Sequence, residues 1–541
     1  MPQGRSWVRL EGTLQLFGQF PKGAAPRGGA WDLRAAEKRV GPGQTRDQVV
    51  LVRTRESGCQ AVEPRTATEV ALAAFERFRV GDRCRFQQRQ HVRLGPLAEL
   101  DVQQGARQRR VRIRMSIFRA SLGILFFCVV AWLMSSHKRH FPWRVLIFSL
   151  LLQLALAGAI LGTSVGQVAF QGCANFLGEF IGMADPGARL VFGPLSQSEA
   201  LITAFGPQYP VIFGFAAKGL LALIFFAAFM AILYHLGIMQ VVIWALARVM
   251  SATMKVSGAE SMAVAANVFV GQTEAPLVVK PYISKMTLSE LNALMTGGFA
   301  TIAGTVLAIY LGFIGEEYGP HLLTASVMSA PAAFLMAKIM LPETETSATA
   351  GAIPLKIERQ ASNLIEAAAN GTQDGVKLAI NVAAMLIAFM ALVNLVNWPI
   401  GWFGDLVGFS GLTLSRMMGW VFAPAAWLMG VDGWHDSQLV GSLMGSKLAV
   451  TEFVAYTELA GMLPDAEAVD QATRLQSGRS ATIAAYALCG FANFASVGIQ
   501  IGGIAPLAPE RKADLTRLAL RAMLGGAFAS WVTATIAGMF L

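Results

Sequence analysis

The sequence predicts an all-α integral membrane protein, with eight transmembrane helices plus two re-entrant helical hairpins in an inverted repeat. Three observations carry that prediction. Only 14% of the 541 residues are charged and 54% are hydrophobic, against roughly 25% charged in a soluble domain. Eight long runs contain no Asp, Glu, Lys or Arg. Two further stretches are apolar on both sides of a polar centre, too short on each side to cross a bilayer alone. An ordinary soluble enzyme and a disordered or fibrous chain are both excluded by this composition.

The formal net charge of +10 invites a nucleic-acid reading until the charge is located. Residues 1–114 hold 22 Lys+Arg and 11 Asp+Glu, and residues 115–541 hold 22 and 23. The basic excess therefore lies in an Arg-rich N-terminal extension, in which Lys22 and Lys38 are the only lysines. No nucleic-acid partner is expected for the near-neutral remainder. The extension lacks the apolar core of a signal peptide, and its 11 acids argue against a transit peptide. Three readings stay open for it: a small soluble domain, a disordered tail, or sequence outside the functional protein. The third has a topological argument. Arg107, Arg109, Arg110, Arg112 and Arg114 precede the first apolar run, while His137, Lys138, Arg139, His140 and Arg144 follow it. Basic loops are retained in the cytoplasm, so the two clusters pull in opposite directions. A start at Met115 removes the conflict. The five cysteines, Cys59, Cys84, Cys128, Cys173 and Cys489, are scattered and form no CxxC pair, so neither a disulfide framework nor a zinc site is expected.

The uncharged runs are 120–136, 145–178, 219–247, 291–315, 318–337, 378–404, 480–508 and 522–541. A spanning helix needs about 20 mostly apolar residues. All but the first run reach that length, and the first extends through Ile117 and Phe118. The two interrupted stretches are 258–283, broken by Gly271-Gln272-Thr273-Glu274-Ala275-Pro276, and 430–463, broken by Lys447 and by Thr451-Glu452. A polar tip at membrane depth is tolerated only when buried in protein or lining an aqueous cavity. An amphipathic surface helix is the plainer alternative for each. Basic residues place the 137–144 loop, the connection around Lys338, Lys356, Arg359 and Lys377, and the segment Arg511–Arg521 in the cytoplasm. The first hairpin then enters from the cytoplasmic side and the second from outside.

The two hairpins head a weak internal repeat. Thr273-Glu274 marks one tip and Thr451-Glu452 the other. Gly298-Phe299-Ala300-Thr301-Ile302-Ala303-Gly304 follows the first, and Gly490-Phe491-Ala492-Asn493-Phe494-Ala495-Ser496 follows the second. Both read Gly-Phe-Ala-x-x-Ala-small. Glycines here can serve close helix packing. Paired with acidic tips in matching order, they point to the broken helices of a secondary transporter. A carboxylate within the membrane costs about 2.5–3.5 kcal/mol on insertion scales, so Glu274 and Glu452 are functional candidates. Asn267, Gln272, Thr273, Thr301, Asn493 and Ser496 lie near them in sequence or in the matching broken spans. This set is rich in neutral hydrogen-bonding groups and poor in cations. It favours a neutral, polyhydroxylated or amide-bearing solute over an anion. Lys447 is the basic exception, and pairing with Glu452 or snorkelling to the interface would each give it a structural role.

At this point a family resemblance is specific. GAESMAVAANVFVGQTEAPLVVKPYI and MTGGFATIAGT (258–305), IEAAANGTQDGVKLAINVAAMLIAF (365–389), TEFVAY (451–456) and YALCGFANFASVGIQIGG with LAPERK (486–512) resemble signature regions of the concentrative nucleoside transporter family, in the right order. The resemblance runs from about Met115 to Leu541. It implies scaffold helices 1–3 in 115–239. An interfacial helix at about 240–254, the first hairpin and helices 4–5 would form the first transport repeat, 240–345. A cytoplasmic connection and scaffold helix 6 would fill 346–410. An external helix at about 411–429, the second hairpin and helices 7–8 would form the second repeat, 411–541. It also implies a homotrimer in the plasma (inner) membrane, importing nucleosides with sodium, or with protons in some branches, by an elevator motion. Carried over, Gln272, Thr273, Glu274 and Val306 would meet the nucleobase. Glu452, Asn493, Ser496 and Phe491 would meet the ribose. Asn267, Val270, Thr301 and Ile302 would hold sodium, Thr301 standing where sodium-coupled relatives often carry Ser. Sodium is a coupling ion, and no cofactor is implied.

Other classes fit less well. Gly162-Thr163-Ser164-Val165-Gly166 matches G-x-S-x-G but falls near the end of a hydrophobic helix, not on a strand–turn–helix. No His-Glu-x-x-His string occurs, so an enzyme is not expected. Polar tips entering from opposite sides suit alternating access better than an open pore. A transporter of another neutral solute remains the alternative within its class.

Overall fold

The computed structural model describes residues 8–10, 31–37, 48–53, 60–62, 96–205, 220–350, 361–464 and 471–541. The chain divides into two compact units, Met1–Glu99 and Leu100–Leu541. The first contains four short strands, β1 (Val8–Leu10), β2 (Trp31–Glu37), β3 (Gln48–Arg53) and β4 (Gln60–Val62), paired antiparallel in the order β1-β2-β3-β4. Leu33 stands opposite Val52 and Ala35 opposite Val50. The all-α expectation did not include this sheet. It holds for the second unit, whose described elements are helical.

That unit begins within α1 (Pro96–Leu133), continuous through Met115, followed by α2 (Trp143–Leu161), α3 (Ser164–Gly182) and the short α4 (Asp185–Phe192) and α5 (Ser198–Phe205). The run 145–178, expected as one span, is two helices. Thr163 breaks it: its Oγ1 donates to the Ala159 carbonyl at 2.7 Å and accepts from the Gly166 N–H at 2.9 Å, ending one helix and capping the next. Gly166 is required at this junction, since a Cβ there would lie 2.0 Å from the Ala159 oxygen. The run 219–247 is also broken. α6 (Leu220–His235) and α7 (Ile238–Met254) meet at 77° across Gly237, whose φ of 82° suits glycine. α7 is the helix expected at about 240–254.

The first hairpin is α8 (Gly258–Asn267), an irregular tip, a 3₁₀ turn at Ala275–Val279 and α9 (Lys280–Ile283). Ser257 and Glu260 form a capping box at the start of α8, and Thr287 and Glu290 form another on α10 (Leu288–Ala300). Each satisfies two N–H groups that would otherwise be orphaned in a buried helix end. α11 (Gly304–Ile314) and α12 (Gly319–Met340) complete the first half. The second half is α13 (Leu364–Leu406), α14 (Leu414–Met429), α15 (Gly433–Ala449), α16 (Glu452–Met462), α17 (Gly478–Leu488), α18 (Phe494–Ile504) and α19 (Lys512–Phe540). α14 falls at the helix expected at 411–429, and α15 with α16 forms the second hairpin.

Among the described residues, Met115–Leu133, Trp143–Leu161, Glu316–Met340 and Pro509–Phe540 are long and apolar enough to cross a membrane, with α6 and α7 as one bent pair. The runs 291–315 and 480–508 are each broken in two, as α10/α11 and α17/α18. α12 and α19 are almost enclosed by protein, whereas only about a quarter of the α1 and α2 spans is buried. Phe127 of α1 packs on Phe528 and Trp531 of α19, at 6.2 and 5.7 Å between ring centres. The buried centre therefore lies where α10, α12 and α19 meet, beside both breaks.

Candidate functional site

The breaks in the two interrupted spans touch each other. After α10, Thr301 and Ala303 are extended (φ −116°, ψ 162° and φ −67°, ψ 139°). After α17, Gly490 adopts φ 132°. A Cβ on Gly490 would lie 2.8 Å from the carbonyl oxygens of Phe299 and Ala300, so only glycine fits against that backbone. The Phe491 N–H donates to the Thr301 carbonyl at 3.3 Å, and the Gly304 N–H donates to the Phe269 carbonyl at 3.0 Å. Backbone groups freed by unwinding are thus partly shared between the first hairpin, the first break and the second break.

Glu452 opens α16, Thr451 caps that helix through the Val454 N–H, and Asn493 caps α18 through the Ser496 N–H at 2.7 Å. Asn493 Nδ2 donates to Glu452 Oε2 at 2.6 Å, and the Tyr310 hydroxyl donates to Oε1 at 3.0 Å. Glu452, Asn493 and Ser496 are all buried. The carboxyl group sits at the positive ends of two helices and accepts two hydrogen bonds, which offset part of the cost of burying it. An ionised carboxyl offers about four lone-pair positions, so about two remain for donors of a ligand.

The first tip packs on the other side. A Cβ on Gly503 of α18 would lie 2.6 Å from Thr273 Cγ2, and one on Gly298 of α10 would lie 3.0 Å from Gln272 Cβ. Gln272 is buried and its Oε1 has no hydrogen-bond donor. Glu274 is exposed, and its Oε2 accepts from the Gly271 N–H at 3.0 Å within the tip. The two acids are therefore unequal, one buried and bridging helices, the other folded back on its own turn.

Asn267 and Thr301 converge on Gly297. The Thr301 hydroxyl donates to the Gly297 carbonyl at 2.9 Å, and a Cβ on Gly297 would approach Asn267 Nδ2 to 3.4 Å. Asn267 Nδ2 donates to the Ala263 carbonyl, leaving a buried Oδ1 with no donor. A hard monovalent cation takes carbonyl and hydroxyl oxygens, so this orphaned acceptor and the Thr301 hydroxyl are of the chemistry that suits sodium. Ile302 is buried in the extended break and Val270 is half-buried at the end of the α8 turn. Val306 is buried on α11, and Phe491 is half-buried at the crossing.

Lys447 neither pairs with Glu452 nor reaches the interface. It is fully buried and donates to the Ala487 carbonyl in the last turn of α17 at 2.9 Å. Sequence reasoning missed three further groups. Tyr310 reaches Glu452 directly. Tyr456 stacks on it at 4.3 Å and donates to the Ala485 carbonyl. Gln500 joins α18 to the Met295 carbonyl of α10. The available signal was a tyrosine or glutamine inside an otherwise apolar segment, since a buried phenol or amide needs a partner.

Residues 122–195 match the model for the N-terminus of Na+ dependent nucleoside transporters, 216–317 a nucleoside-recognition gate model, and 321–538 the model for the C-terminus of Na+ dependent nucleoside transporters. An uncharacterized transporter of Haemophilus influenzae is 40% identical over 427 residues, covering 79% of this chain and 98% of that protein. Solute carrier family 28 member 3 of Mus musculus is 42% identical over 423 residues, and the chain spans 58% of its length and 77% of its own. Sodium/nucleoside cotransporter 1 of Mus musculus is 40% identical, with 77% of this chain and 63% of that protein covered. The solved structure of CNTnw in an inward-facing substrate-bound state aligns with a TM-score of 0.71 at 37% identity, covering 79% of this chain and 98% of that one. An outward-facing variant of CNTnw aligns at 0.73 with 37% identity, covering 79% and 99%.

Proposed function

Because the chain belongs to the concentrative Na+-dependent nucleoside transporter family, a family of multi-pass integral membrane transporters and not of enzymes, we propose that it imports nucleosides across the plasma membrane by sodium symport. The supporting observation is the buried Glu452–Asn493–Tyr310 cluster between two broken helices, a carboxyl group already held in place by two hydrogen bonds with further acceptor positions unused. Such a site repels an anionic solute and suits the paired hydroxyls of a ribose. In this reading Glu452, Asn493 and Ser496 hold the ribose with Phe491 alongside, and Gln272, Thr273, Glu274 and Val306 meet the base.

Sodium would be held by Asn267, Val270, Thr301 and Ile302. A cation between the first tip and the first break orders the backbone that faces the base. Nucleoside affinity therefore rises with sodium, and by linkage sodium affinity rises with nucleoside by the same factor. Eight spans with two oppositely oriented re-entrant hairpins, an elevator-type alternating access and a homotrimer complete the proposal. Inward- and outward-facing forms of CNTnw support alternating access in that protein.

The test is uptake of a nucleoside panel into vesicles holding the purified protein, with and without an inward sodium gradient. Accumulation of uridine or adenosine that requires sodium is expected. Accumulation driven only by an acid-outside gradient would replace sodium with protons. Absence of nucleoside uptake under either gradient would overturn the proposal in favour of another neutral solute.

A further inference from the structure

One buried amide stands between the ribose and base assignments without a role in either. Gln500 lies four residues after Ser496 on α18, on the same face, and Gly503 follows one turn on. That face runs from the Glu452–Asn493 cluster to the first tip, where Thr273 packs on Gly503. Gln500 is 1% exposed. Its Nε2 donates to the Met295 carbonyl at 2.9 Å, which fixes the plane of the amide and turns Oε1 away from Met295. That Oε1 is buried and has no donor.

Gln272 is its neighbour across Gly298. A Cβ on Gly298 would lie 2.3 Å from Gln500 Nε2 and 3.0 Å from Gln272 Cβ, so the missing side chain leaves room for both amides. Gln272 Oε1 is likewise buried without a donor. Buried amide oxygens that lack donors are a deficit that protein interiors avoid. One rearrangement supplies the Gln500 oxygen and leaves the Gln272 oxygen to a ligand. If the Gln272 amide turns its NH₂ to Gln500 Oε1, its own Oε1 faces outward as an acceptor for a ligand N–H.

We propose that Gln500 is a positioning residue for base recognition, holding Gln272 as an acceptor for nucleosides that carry an N–H donor on the pairing edge of the base. The inference rests on the assignment of the first tip to the base. It adds a residue on the opposite wall that decides which face of the Gln272 amide the base meets.

The experiment compares uridine with N3-methyluridine, which share a ribose and differ in the pairing-edge N–H. Sodium-driven uptake is measured for the wild-type chain, Gln500→Met and Gln500→Glu. The wild type should prefer uridine by about tenfold in KM, the worth of one buried hydrogen bond. Gln500→Met, close in length but without an acceptor, should lose that preference. Its kcat and its discrimination between uridine and 3′-deoxyuridine should be unchanged. Gln500→Glu, held protonated at this buried position, donates its O–H to the Met295 carbonyl and keeps an acceptor oxygen, so it should retain the preference even if the methionine variant fails to fold. Loss of the preference in Gln500→Glu, its survival in Gln500→Met, or an equal KM rise for both nucleosides would each overturn the proposal. A wild type that accumulates uridine without preferring it would overturn both this inference and the base assignment. A wild type that takes up no nucleoside would instead overturn the transport reading.

Discussion

Glu452→Gln separates the ribose assignment from a merely structural role. The amide can enter in two orientations. With Nε2 in place of Oε2, it would face the Asn493 Nδ2 donor at 2.6 Å, and Asn493 cannot flip because its Oδ1 accepts from the Ser496 N–H. With Nε2 in place of Oε1, the Tyr310 hydroxyl turns round and accepts, as a phenol can. The second orientation wins and keeps both internal contacts. What disappears is the charge and one acceptor position open to a ligand hydroxyl. Hydrogen bonds to a charged group contribute roughly 1.5–3 kcal/mol and neutral ones roughly 0.5–1.5, so two ribose hydroxyls lose about 2–3 kcal/mol in all. At about 1.4 kcal/mol per decade this is about a 100-fold rise in KM for uridine. The fold should be kept, because removing a buried charge while preserving its contacts costs little. The assay is sodium-driven uptake over a wide uridine range, with thermal stability in detergent as the folding control. The decisive comparison is 2′,3′-dideoxyuridine, whose KM should change much less. Wild-type KM for uridine in the variant, or an equal rise for both nucleosides, would refute the reasoning.

Asn267→Leu removes the orphaned oxygen proposed for sodium, and half-saturating sodium should rise about tenfold while the rate at saturating sodium survives, the loss of one buried ligand-facing hydrogen-bond equivalent; an unchanged sodium curve refutes the placement. Gly490→Ala forces a Cβ to 2.8 Å from two carbonyl oxygens at a positive φ, and strain of this kind costs about 1–3 kcal/mol before the clash is counted. A fall in melting temperature and yield is expected, and wild-type stability would show that the crossing relaxes easily. Lys338→Met leaves Glu260, paired to it at 2.8 Å and buried, without its cation; breaking a buried pair from one side costs about 3–5 kcal/mol. Adding Glu260→Gln should restore much of that stability in the same melting assay, and no recovery would mean the pair is not the source of the loss.

The parts of this fold legible in the sequence were those marked by interruption. Gly271–Pro276, Thr451-Glu452 and the two Gly-Phe-Ala strings each break an apolar run with groups that cannot continue a helix cheaply, and the chain breaks at each. The break at Thr163 escaped notice because threonine is tolerated within a helix, and only its double hydrogen bond shows it ending one. The bend at Gly237 was legible in part, since the helix after it was expected but the angle was not. Within the site, Asn493 and Ser496 were found because amides and hydroxyls stand out in an apolar span. Tyr310 and Tyr456 were passed over because aromatic residues at helical spacing ordinarily pack. Glu274 and Glu452 read alike in sequence, yet one closes its own turn and the other joins two helices. Tip geometry decides this, and spacing does not record it. Lys447 reads as a partner of Glu452 or a snorkelling residue until the Ala487 carbonyl is found within reach.

The two breaks explain each other. A single unwound helix in a membrane leaves several N–H and C=O groups without partners, each expensive in the absence of water. Here the Thr301 carbonyl receives the Phe491 N–H and the Phe269 carbonyl receives the Gly304 N–H. Gly490 brings the second break close enough for this by admitting the Phe299 and Ala300 carbonyls where a side chain would stand. The repeat therefore does more than duplicate a motif. The second half supplies a backbone donor, the Phe491 N–H, to the unwound first half, and acceptors are left over at Glu452, Asn267 and Gln272. In the proposed reading substrate and ion meet at this crossing, because an unwound helix is tolerated in a membrane beside backbone that accepts its freed groups.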